Sequence, residues 1–80
     1  MKERVNDLAL YLQHYGNRGI LVPFSTMLRE LGTNKETLLR VIDMAIRLGY
    51  PIKRFKFEGK GEQFYTYQET FLDAPPFGMI

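Results

Sequence analysis

Apolar residues near the N-terminus fall at Val5, Leu8, Ala9, Leu12 and Tyr15, the i, i+3, i+4, i+7 spacing that lines one face of an α-helix. Leu10 lies on the opposite side with Asn6, Gln13 and His14, either as an ordinary exposed leucine or as a contact with another chain. Gly16-Asn17-Arg18-Gly19 supplies the backbone freedom of a turn, and Ile20-Leu21-Val22, ended by Pro23, predicts a short edge strand. Positions 24–31 predict a second helix, with Pro23 fixing the backbone at its start and Met27, Leu28 and Leu31 on its buried side. Gly32 ends it. A new helix start follows at once: Thr33 with Glu36 fits a capping box, and Asn34 is itself a favourable N-cap. The third helix is predicted over 35–48, closed by Gly49 in the left-handed position and blocked by Pro51.

At 100° per residue, Leu38, Leu39, Val41, Ile42, Ala45, Ile46 and Leu48 fill a wide buried arc of that third helix. Glu36, Thr37, Arg40, Asp43, Met44 and Arg47 are left exposed. Two aromatic-rich segments, 52–57 and 63–68, flank Glu58-Gly59-Lys60-Gly61-Glu62 and predict a β-hairpin. Phe55 and Phe57 point to one face of it, and Ile52, Arg54 and Lys56 to the other. Whether Phe64 and Thr66 or Tyr65 and Tyr67 join the aromatic side depends on an odd or even turn, and the glycines allow either. The phenylalanines are expected in the core, since so short a chain has few other large apolar groups. Residues 69–80, with two prolines and no regular period, are read as an extended tail behind a domain spanning 1–68.

Eighty residues suffice for one domain, which buries only about 60 to 65% of the surface its unfolded form exposes. The absence of cysteine excludes a disulfide framework, a thiolate metal site and a cysteine nucleophile. No stretch approaches the roughly 18 consecutive apolar residues of a membrane span, and the expectation is a soluble, cytoplasmic protein without an export signal. A net charge of +2 permits a polyanionic partner without demanding one. Its distribution says more: Lys53, Arg54, Lys56 and Lys60 stand against Glu58 alone, whereas the chain beyond Glu62 has no base.

The predicted order, helix, short strand, helix, tight turn, helix, hairpin, is an α+β arrangement similar to the winged helix-turn-helix. Leu31-Gly32-Thr33-Asn34-Lys35-Glu36-Thr37-Leu38-Leu39, then Arg47-Leu48-Gly49-Tyr50-Pro51-Ile52 and Gly59-Lys60-Gly61, resemble the N-terminal DNA-binding domain of the biotin-operon repressor family over about residues 20–68. The resemblance implies three helices, a short β1 strand and a C-terminal β-hairpin wing, with double-stranded DNA as ligand. The third helix would then enter the major groove, where Arg40 and Arg47 would bind guanine and Thr37 or Met44 would touch a thymine methyl. Lys35 at the helix start would hold a phosphate, and Lys53, Arg54, Lys56 and Lys60 would grip the backbone or reach the minor groove. Plainer roles stand beside these: an Asp43–Arg47 surface pair, and wing charges that guard an edge strand against aggregation.

No catalytic machinery is expected. His14 has no second histidine or cysteine with which to bind a metal, and Ser25, at a helix start, has no base beside it. Gly59-Lys60-Gly61 lies in a hairpin rather than in a phosphate-binding loop, so neither metal nor cofactor is expected. The apolar residues Phe71, Leu72, Phe77, Met79 and Ile80 suggest a tail that packs on the domain or on a second copy, and a homodimer on two half-sites is the expected assembly. A transcriptional repressor acting by occupancy is the leading expectation. The alternatives are a replication or partition accessory protein, a protein-interaction module such as an adaptor or inhibitor using Leu10, the wing or the tail, and a sheet that stacks single-stranded RNA bases.

Overall fold

Helix α1 (Lys2–Gly16) buries Val5, Leu8, Ala9 and Leu12 along one face and leaves Leu10 exposed, as its apolar spacing requires. The computed structural model describes residues 2–68, and the expected tail over 69–80 lies outside them. After a turn at 17–19 come β1 (Val22–Pro23), α2 (Phe24–Leu31), α3 (Lys35–Arg47), β2 (Ile52–Lys56) and β3 (Gln63–Tyr67). The described residues thus form an α+β domain of three helices and a three-stranded antiparallel sheet ordered β1-β3-β2. Among them no helix is long and apolar enough to cross a membrane.

The short strand differs from expectation. It comprises Val22 and Pro23, paired with Tyr65 and Phe64, rather than ending before the proline. An edge position tolerates this because proline contributes no N–H to the ladder. Pro23 at φ −66° and ψ 146° also leads the chain into α2, but its side chain caps nothing. Glu62 does so instead: its Oε1 accepts at 2.7 Å from the N–H of Ser25, 37 positions earlier in the chain.

Helix α2 ends as expected, with Gly32 left-handed at φ +62° and its N–H donating to the Leu28 carbonyl. Of the two possible caps for α3, Asn34 is used. Its Oδ1 accepts from the Thr37 N–H at 2.8 Å, so the Thr33–Glu36 box is not the cap formed. At the far end Gly49 (φ +94°) donates to the Ile46 carbonyl and Tyr50 to that of Ala45, both at 3.0 Å. These paired bonds are the Schellman closure, which turns the chain toward the hairpin.

Helix α3 buries a narrower stripe than its composition suggests. Leu38, Val41, Ile42 and Ala45 are buried, whereas Leu39, Ile46 and Leu48 are 38, 41 and 58% exposed. Conversely Met44, expected on the open face, is half-buried against the core, and Thr37 is half-buried too. The helix rests mainly on α1, so one i, i+3, i+4, i+7 line suffices to bury it.

The hairpin register resolves the open parity question. Lys56 pairs with Gln63 and Ile52 with Tyr67 across a six-residue turn, which puts Tyr65 and Tyr67 on the face of Ile52, Arg54 and Lys56. Tyr65 and Tyr67 enter the core with α1, Met27 and the α3 stripe. The phenylalanines do not: Phe55, Phe57 and Phe64 are half-buried and pack on one another, with Phe57–Phe64 centroids 5.3 Å apart. Tyrosines take the core positions because β3 is the central strand and turns its odd-numbered residues toward the helices.

A polar clamp joins α1 to α2. One Glu30 oxygen, Oε1, accepts from the Tyr11 hydroxyl at 2.6 Å and the Tyr15 hydroxyl at 2.8 Å, and the two rings meet edge to face. The bonds from Tyr11 and then Tyr15 hold the Glu30 carboxyl below its ordinary value of 4.5. Tyr11 is raised above 10.0, chiefly by burial, and Tyr15 chiefly by its bond to Glu30. A lowered acid stabilises the fold above its unfolded pKa and loses that contribution as pH falls, while a raised phenol stabilises below its unfolded pKa and loses it as pH rises. The melting temperature of Glu30→Ala should therefore lie below that of the native chain from about pH 5 to 10, with the gap narrowing on both sides. Thermal unfolding across that range measures it; a gap independent of pH would refute the clamp.

Candidate nucleic-acid interface

The exposed face of α3 and the hairpin beside it gather most of the charge that sequence reasoning singled out. Lys35 is exposed at the first position of α3, and Arg40 and Arg47 are exposed further along it. On the hairpin, Lys53, Lys56 and Lys60 are exposed, with Lys60 in the turn donating its N–H to the Phe57 carbonyl at 3.1 Å. The structure does not put all of these on one surface. Lys56 shares the sheet face of Arg54, while Lys53, paired with Thr66, lies on the other.

Arg54 is engaged within the domain. Its Nη2 lies 3.5 Å from Asp43 Oδ1, and its guanidinium carbon stands 5.6 Å from the centroid of the Tyr65 ring. Asp43 thus pairs across to β2 rather than along the helix to Arg47. Both side chains are substantially exposed, so the ion pair contributes at most about 1 kcal/mol and acts mainly to align β2 with α3. Burial raises the Tyr65 phenol, with the Arg54 charge opposing it, and the hydroxyl donates to Gln63 Oε1 at 3.1 Å.

Glu62 is committed as well. Bonds from the Ser25 backbone N–H and then its side chain lower the Glu62 carboxyl, at a helix start where negative charge is favoured. With Asp43 paired to Arg54, the open charges of α3 and the hairpin are the cations Lys35, Arg40, Arg47, Lys53, Lys56 and Lys60 against Glu36, Glu58 and Glu62, whose bond from a neutral N–H leaves its charge in place. Six against three is a stronger bias than the 11 basic against 9 acidic residues of the whole chain.

A groove runs between α3 and the hairpin, bordered by Phe24, Lys35, Leu39, Asp43, Arg54 and Gly61. Sequence reasoning missed its two ties, Asp43–Arg54 and Glu62–Ser25, because each joins residues distant in the chain. It missed Leu39 because the buried arc was drawn too wide. Among the described residues, no cluster of three His, Asp or Glu side chains is placed to hold a metal ion. Compared with models of protein families, with curated proteins and with solved structures, the chain matches none.

Proposed function

We propose that this domain is a winged helix that binds double-stranded DNA, with α3 in the major groove and the β2–β3 hairpin as the wing. The excess of open cations on α3 and the hairpin carries this reading, because phosphate neutralisation is the main source of duplex affinity. The order of elements and the β1-β3-β2 sheet support it. Arg40 and Arg47 read base edges, Lys35 holds a phosphate at the helix start, and Lys53, Lys56 and Lys60 contact the backbone. Arg54 aligns the wing through Asp43, and its own phosphate contact is secondary. The simplest biological role is a cytoplasmic transcriptional regulator, acting without enzymatic chemistry and pairing with a second copy across two half-sites.

Binding to a fluorescent duplex over a series of salt concentrations tests this. Replacing Lys53, Lys56 and Lys60 with alanine should weaken binding to every sequence and flatten the log–log salt slope by about 0.9 for each phosphate no longer neutralised. No retention of duplex at low salt by the native chain would overturn the reading. That result would favour a protein-docking module instead, to which Leu10 and Leu48, 57 and 58% exposed, lend their surface.

A further inference from the structure

We infer that Leu39 is a specificity-determining residue that meets the C5 methyl of a thymine on the floor of the major groove. The inference rests on the DNA reading and deepens it. The residues whose sequence positions suggested methyl contact are less open: Met44 packs against the core, and Thr37 is half-buried. Leu39 is open at 38% exposure and lies in the N-terminal half of α3, the part of a reading helix that reaches base edges. Ile46, seven residues on and 41% exposed, continues the same line along the helix.

The surroundings specify the partner. Lys35 and Arg54, together with the acids Asp43 and Glu62, border the groove into which Leu39 opens, and Arg40 and Arg47 lie round the helix on the other side, beyond Asp43 and Glu36. The apolar line of Leu39 and Ile46, with Lys35 on one side and Arg40 and Arg47 further round on the other, suits apolar groups lying between two rows of negative charge. Thymine methyls between two phosphodiester backbones have this form, and thymine alone among the DNA bases presents a methyl in the major groove.

The duplex bound best is first selected from a random library, and each of its thymines is then replaced singly by deoxyuridine, which deletes only the methyl. At one position the native chain should lose about fourfold in affinity, the value of one buried methyl-sized group. Leu39→Ala should bind the thymine and uracil duplexes within twofold of each other, while Leu39→Met, which keeps an apolar end, should retain the difference. Alanine suits an exposed helix position, and an unchanged circular dichroism spectrum verifies that the variant is folded. Native binding indifferent to every methyl, or a methyl preference undiminished in Leu39→Ala, would overturn the assignment while leaving duplex binding intact. A native chain that selects no duplex at all would overturn the DNA reading itself, and the role of Leu39 with it.

Discussion

Alanine at Arg40 or Arg47 is expected to erode discrimination between DNA sequences by about 1 to 3 kcal/mol for each base no longer read, roughly 5- to 150-fold. Both side chains are exposed on α3, so their removal should change folding stability by no more than about 0.5 kcal/mol. They are seven residues apart, which at 1.5 Å per residue places them about 10 Å apart along the helix, the span of about three base pairs. Each variant should therefore relax its own position in the site, and the double variant should come close to the product of the two. The measurement is the affinity for the selected duplex divided by that for each single-base-pair variant of it. If both ratios survive, α3 does not read bases through its arginines. The outcome differs in kind from that of the hairpin lysines, whose removal should lower affinity for all sequences alike.

Tyr65→Ala should be the most damaging single change to the fold, costing about 3 to 5 kcal/mol, as truncation of a buried aromatic does. Tyr65 is 1% exposed on the central strand, packs with Phe24 at 6.2 Å between centroids, and underlies Arg54. A domain this small is expected to hold little more than the lower end of the usual 5 to 15 kcal/mol, so the variant should be largely unfolded at 37 °C. Tyr65→Phe keeps the ring and loses the hydroxyl with its bond to Gln63, at a cost of about 1 kcal/mol. Urea unfolding followed by circular dichroism separates the two. A Tyr65→Ala chain with a native-like midpoint would mean that the core does not depend on this strand.

Most of the element plan was legible because it is encoded locally. The spacing of Val5, Leu8, Ala9 and Leu12 defines α1 without reference to the rest of the chain, and Gly32 and Gly49 mark the ends of α2 and α3. What escaped was whatever depends on a distant partner. The width of α3's buried face is decided by how α1 and the sheet meet it, so Leu39 and Ile46 could not be assigned from periodicity alone. The hairpin register decides between Tyr65 with Tyr67 and Phe64 with Thr66, yet it depends on a turn whose glycines accept either parity. The candidate interface was half legible: the cations are visible as residue types, but only the folded chain pairs Arg54 with Asp43 and sends Glu62 to Ser25.

Those two ties have a mechanical consequence. A hairpin joined to its domain only through its strand ends could swing and adapt to whatever lay beneath it. This one is tied twice, by Arg54 to α3 and by Glu62 to the start of α2, so hairpin and helix are biased toward one spacing, like the jaws of a sprung caliper. A sprung caliper favours objects of one width. On the proposed DNA reading, a duplex whose groove departs from that width would be held less well even when its bases are right, so the shape of the double helix would contribute to recognition.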